Sequence, residues 1–149
     1  MRDIISVGEV LIDLTQTGTT DQGIPAFAAN PGGAPANVAV AAARLGAETA
    51  FFGKVGRDSF GAYLRRVLEE NGVDCSGLRT GSQPTTLAVV SVDSRGERDF
   101  QFIRGADCTL SPEEVDEEAL GRTKFLHFGS VSLTAGLERN ATIFAARHA

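Results

Sequence analysis

The chain is short of positive charge, of cysteine and of long apolar runs, and each shortage narrows what it can do. Its 149 residues carry 14 Lys and Arg against 19 Asp and Glu, a formal charge of -5. Binding to phosphates needs a basic footprint, so this balance argues against nucleic acid as a partner and against an anionic membrane surface. No apolar run approaches the roughly 20 residues of a membrane span. The N-terminal MRDIISVGEVLID has no small-residue cleavage site and carries Glu9 and Asp13 in its apolar stretch, so it reads as a strand rather than a signal peptide. Cys75 and Cys108 lie too far apart to suggest a disulfide framework or a metal knuckle. A reducing, cytoplasmic setting is expected. His127 and His148 fit no ligand spacing, and His127, inside an apolar stretch, reads as a packing residue.

What is present is an ordinary globular composition, 42% hydrophobic and 22% charged, long enough for one domain with a sizeable core. Residues 30–37 read NPGGAPAN. Paired glycines before a helix strip side chains from the backbone beside amides that the first helical turn leaves unbonded. With Asn37 in that first turn, Gly32 and Gly33 form a plausible floor for a small polar ligand.

The apolar run Ile4 to Leu14 is expected to be one strand buried on both faces, ending at Asp13. Thr15 to Gly23 reads as a turn and Ile24 to Ala29 as a short strand. A small-residue helix follows from Ala34 to Leu45, stopped by Gly46. Thr49 to Val55 reads as a strand. Asp58 then caps an amphipathic helix, Ser59 to Asn71, with Phe60, Tyr63, Leu64, Val67 and Leu68 on one stripe. Strand, helix, strand, helix predicts a doubly wound α/β layer. Thr85 to Asp93 and Arg98 to Arg104, around a Ser94–Glu97 turn, read as an antiparallel hairpin lying outside that layer. Ser111 and Pro112 open a short helix, with a solvated acidic run from Glu113 to Glu118. Lys124 to Val131 is expected to be a buried strand. Leu137 to Ala149 is expected to be a helix whose apolar set is Leu137, Ala141, Phe144 and Ala145. That helix has no cap or tail after it, whereas a parallel sheet expects a further strand, so the chain is read as part of a longer protein.

These residues resemble one family. Gly8 to Asp13 (GEVLID) and Gly32 to Gly61 (GGAPANVAVAAARLGAETAFFGKVGRDSFG) are similar to the N-terminal half of the ribokinase-like, or PfkB, carbohydrate kinases. The likeness continues through FQFIRGAD, residues 100–107, and HFGSVSL, residues 127–133, which look most like bacterial fructokinases. It implies a ribokinase-like fold: a doubly wound, mostly parallel sheet with helices on both faces and a small β lid, the C-terminal half being absent. Residues 1–149 would be the sugar-binding part, with lid strands at about 15–33 and 85–105.

The resemblance assigns roles. Asp13 would accept hydrogen bonds from two neighbouring sugar hydroxyls; alone, it could equally start a turn. Gly32 and Gly33 would let the sugar lie against the backbone, and Asn37 would offer a donor and an acceptor. Arg104 would reach a sugar oxygen or phosphate from the hairpin, its plainer reading being an exposed strand arginine. Phe102 would shield the site as part of the lid or, taken alone, belong to the core. ATP and magnesium are implied for the whole enzyme, as is a homodimer through the lid strands.

Two departures qualify this. Ribokinases carry a Glu near the strand aligned with Phe125 to Gly129; here Gly129-Ser130 stand there, which favours fructose over ribose. The family's Gly-Ala-Gly-Asp motif, with the catalytic Asp, is absent, and no Gly-x-x-x-x-Gly-Lys-Ser/Thr loop replaces it. The expected activity is therefore an ATP-dependent sugar kinase with this chain inactive alone. The alternatives are a non-catalytic sugar-binding or dimerisation module, or a kinase for ribose or 2-keto-3-deoxygluconate. A dinucleotide binder is disfavoured, since no Gly-x-Gly-x-x-Gly follows the first strand.

Overall fold

A computed structural model of the chain describes residues 1–92, 98–134 and 136–149. Its strands form two sheets. The main sheet holds β1 (Arg2–Val7), β4 (Thr49–Gly56), β5 (Leu78–Gly81) and β8 (Thr123–Phe128), in the order β5-β4-β1-β8, and every pair is parallel. The second sheet holds β2 (Leu11–Thr19), β3 (Pro25–Gly32), β6 (Leu87–Val92) and β7 (Arg98–Ile103), in the order β3-β2-β6-β7. In it β2 and β6 run parallel, while β2–β3 and β6–β7 are antiparallel.

Helices cover both faces of the main sheet. On one face α1 (Ala34–Arg44) and α2 (Ser59–Glu70) enclose a core that includes Phe51, Val55, Leu64 and Leu68. On the other, the short α3 (Glu117–Leu120) and α4 (Gly136–His148) cover Ile5, Val7, Ala50 and Phe52. Consecutive residues of β4 thus feed opposite cores, as a strand buried on both faces requires. Ala36 and Ala39 let α1 lie close to the sheet. Asp58 caps α2, its Oδ1 accepting from the Gly61 amide at 2.8 Å, and its Oδ2 accepts from the Thr85 amide at 2.8 Å. Burial pushes that carboxyl up, but the bonds from Thr85 and Gly61 outweigh it and hold it below the usual range. One side chain therefore starts a helix of the main layer and anchors the approach to the second sheet.

The structure departs from the sequence expectations at five places. Ile4 to Leu14 is two strands in two sheets, because Gly8 takes φ 142°, a conformation that side chains rarely adopt, and turns the chain away. Asp13 is consequently the third residue of β2, not the end of the first strand. The expected turn at Thr15 is strand as far as Thr19, where pairing with β3 overrides a polar composition, and β5 was not anticipated. β8 is half-exposed rather than buried: it is a sheet edge, paired only with β1, and Phe125 is 68% exposed. In α4, Leu137 faces out, and the inward row is Glu138, Ala141, Thr142 and Ala145. The hairpin stands as expected, although its Ser94–Glu97 turn lies outside the described residues.

Leu64, 1% exposed in the α1–α2 core, tests this packing. Leu64→Ala is expected to lower the free energy of unfolding by about 2–5 kcal/mol in urea titrations, from lost burial plus the cavity left behind.

Candidate functional site

In the main sheet, β1 lies between β4 and β8, and the covering helices change face between them, so the topological switch point lies between β1 and β8. Ligands of open α/β sheets bind outside the carboxyl ends of the strands at such a point. Here the chain leaves β1 through Gly8 and Glu9, and leaves β8 through Gly129 and Ser130. The second sheet grows from the same place.

Four of the six predicted residues converge at the start of α1. A Cβ on Gly32 would overlap the Asp13 carboxylate, so that carboxylate lies against the bare glycine. A Cβ on Gly33, whose φ is 106°, would run into the Glu9 carbonyl. Asn37 is exposed, and its backbone N–H donates to the Gly33 carbonyl at 2.9 Å. Burial pushes the Asp13 carboxyl up and is the one influence that shifts it.

Phe102 joins this group through sheet register. Asp13 of β2 is opposite Ala88 of β6, and Ala88 is opposite Phe102 of β7. Residues in register share a face, so Asp13 and Phe102 stand on the same side, two strand spacings or about 10 Å apart. The residue between them is an alanine, Ala88, itself 1% exposed. Phe102 is 49% exposed, so the core reading does not hold for it.

Arg104 is neither free over the crevice nor an exposed strand arginine. It sits just past β7, and its Nη2 donates to Glu138 Oε2 at 2.6 Å and lies 2.8 Å from Asp107 Oδ2. Its Nε donates to Asp107 Oδ2 at 2.9 Å. Both acids are 1% exposed. Burial works against the Arg104 charge, but Asp107 and Glu138 overcome this and raise its pKa.

Sequence reasoning missed the buried acids, Glu9, Asp107 and Glu138. Glu9 fills the switch point, 3.4 Å from where a Gly129 Cβ would stand. Burial raises its carboxyl, partly offset by the backbone amides of Glu9 and of Ala34 in the first turn of α1. Burial first, then the Asp107 charge, pushes Glu138 up to about 7, against the pull of Arg104. Of the three, Glu9 alone carried a sequence signal, its place within an apolar run. Asp107, Cys108 and Glu138 offer ligand atoms within 4.8 Å of one another. The Arg104 guanidinium already lies between the two carboxylates, so it serves as the cation of this cluster.

A cavity of about 560 Å³ runs between α1 and α2, reaching Gly32 and Asn37 at one end and Arg44 and Asn71 at the other. It excludes Asp13, Gly33, Phe102 and Arg104, and its walls are Val10, Val40, Leu64 and Leu68. Such walls do not suit a polyol, whose hydroxyls need polar partners.

A parallel sheet wound on both sides, with a small sheet standing over its carboxyl edge and a carboxylate beside a glycine floor, defines a ribokinase-like α/β domain. The comparisons agree. The chain matches the pfkB family carbohydrate kinase description over residues 1–149, and it belongs to that family. It is 43% identical to probable fructokinase-6, chloroplastic, of Arabidopsis thaliana, covering 98% of this chain and 39% of that one. It is 44% identical to fructokinase-1 of Zea mays, covering 95% and 46%. The crystal structure of fructokinase from Xylella fastidiosa superposes with a TM-score of 0.92 at 36% identity, covering 99% of this chain and 47% of that one. A further structure of the Xylella enzyme holds bound ATP. The chain thus spans about half the length of these relatives, or less.

The raised Asp13 pKa gives a signed prediction. A carboxyl whose folded pKa is raised favours folding most at low pH, and that contribution is lost as pH rises through the folded value. Asp13→Asn should therefore unfold at a higher temperature than wild type at pH 7, with the difference vanishing near pH 3. Thermal melts at the two pH values read it. Gly33→Ala should instead destabilise at every pH, by about 1–3 kcal/mol, from its positive φ and the Glu9 carbonyl.

Proposed function

We propose that this chain is the sugar-binding part of an ATP-dependent carbohydrate kinase that phosphorylates a hydroxymethyl group, with fructose as the substrate. The observation that carries the reading is the cross-strand row of Asp13, Ala88 and Phe102, with the Asp13 carboxylate lying on Gly32. A carboxylate whose shift comes from burial can accept from two hydroxyls at once. A half-exposed aromatic ring on the same face offers an apolar wall to the sugar's C–H surface. The fructokinases among its relatives support the choice of sugar, as does the absence of a carboxylate at Gly129-Ser130.

The site suits a neutral ligand. The amino end of α1 would attract an anion, but the buried Glu9 carboxyl already sits close to the Ala34 amide. Asn37 then serves hydroxyls rather than phosphate.

ATP and magnesium belong to the proposed whole enzyme. The residues of this chain do not fit them: its buried acid cluster is occupied by Arg104, and its sequence has no phosphate-cradling loop. No phosphoryl-transfer step is therefore assigned to these residues, and the chain alone is expected to be inactive. A homodimer through the second sheet is part of the same proposal. It is supported by the edge position of β7, where Phe100 and Ile103 are 54% and 49% exposed. The cytoplasm is the proposed compartment, in keeping with two free cysteines. Among the described residues no helix is long and apolar enough to cross a membrane.

Calorimetry with fructose, glucose and ribose tests the reading. Weak binding that prefers fructose and is abolished by Asp13→Ala is expected. Binding indifferent to Asp13→Ala, or no binding of any sugar, would remove it.

A further inference from the structure

We propose that Glu138 is a positioning residue: from the first turn of α4 it holds the Arg104 guanidinium together with Asp107, and so latches the end of β7 to the main layer. Any effect of the latch on sugar binding rests on the function proposed above; the latch itself does not.

The geometry separates the two acids. Asp107 is fixed independently of Arg104: its Oδ1 accepts from the Cys108 amide at 2.8 Å, from the Gly105 amide at 3.3 Å and from the Thr86 hydroxyl. Glu138 has no such support. Its Oε2 is met by Arg104 at 2.6 Å, while its Oε1 is buried without a partner. A carboxylate costly to bury and bonded at one oxygen is a poor structural filler, because apolar residues pack such a site at lower cost. Among the described residues its one side-chain bond is with the arginine.

The charges facing Glu138 come from three other elements. Arg104 follows β7, Asp107 and Cys108 lie in the single turn Ala106–Thr109, and Glu9 lies between β1 and β2. Glu9 Oε2 is also buried without a partner. Two carboxyl groups thus bond one guanidinium and the charge of a third, Glu9, bears on Glu138, so the surplus negative charge invites a proton. Glu138 is the group pushed up to about 7. Below that value it becomes neutral, and its contact with Arg104 falls from an ion pair to a hydrogen bond in which the guanidinium alone is charged. The latch is therefore tight above neutrality and looser below it, while Asp107 keeps one end of the guanidinium in place.

The test uses the whole chain with nitrogen-15 arginine. The Arg104 Nε–H resonance and its order parameter are followed from pH 5.5 to 8.5 in wild type, Glu138→Gln and Glu138→Asp. Glutamine keeps the shape of the protonated acid, so the variant folds. One titration step near pH 7 in wild type, absent in Glu138→Gln together with a lower order parameter and partly restored in Glu138→Asp, is the expected result. An Arg104 signal indifferent to pH and to Glu138→Gln overturns the proposal. Fructose calorimetry on the same samples reads the sugar role, and a roughly tenfold loss of affinity in Glu138→Gln is expected. If wild type binds no fructose, the functional reading fails, and the Arg104 signal alone decides the latch.

Discussion

The passage from Val7 to Leu11 is the constraint on which the rest of the structure depends. Within three residues the chain leaves a parallel sheet and enters another one. The Gly8 amide still donates to Phe52 of the main sheet at 3.1 Å, and the Ile12 amide already donates to Thr86 at 3.1 Å, just before β6. Only a glycine passes easily through φ 142° here, and its missing Cβ leaves room for Pro35, which would otherwise be met at 2.8 Å. Because this happens at the carboxyl end of β1, the second sheet is rooted at the edge where ligands of such folds bind. Asp13 is carried onto that sheet, and the Glu9 backbone becomes the support beneath Gly33.

Electrostatics then divides the site into two parts. Beside Gly32, the Asp13 carboxyl is partly buried, and that burial is what shifts it. Deeper, the Glu9, Asp107 and Glu138 carboxyls gather around Arg104, and this cluster spans the end of β7, a single turn and α4. The first part lies toward the surface, with Asn37 exposed. The second is closed, so its bonds act on the orientation of the elements it joins. Asp58 performs a similar joining task at the surface, tying the start of α2 to Thr85.

Much of this was legible from residue order. The helices were, because Gly46, Asp58 and Gly72 punctuate them and an apolar stripe repeats along α2. The hairpin of β6 and β7 was, because its two runs are rich in β-branched and aromatic residues. The split of the first apolar run was not: GEVLID continues the hydrophobic pattern across the change of sheet, and periodicity reports burial without saying against what. Glu138 was passed over for the same reason in reverse. Helical spacing alone favoured Leu137 as the inward residue, whereas the helix is rotated to bring Glu138 to Arg104, a partner 34 residues away.

The sequence by itself determined the class of fold, the family likeness and the glycine pair before a helix with Asn37 in its first turn. These rest on local chemistry: which residues tolerate a positive φ, which cap a helix, which leave a backbone bare. Tertiary structure alone decided that Asp13 and Phe102 share a face across β6, that Phe125 lies on an open edge, and that Arg104 is held by two buried acids. Those outcomes depend on sheet order and register, which are set by pairing between distant segments, and such pairing leaves no period or spacing in the chain to be read.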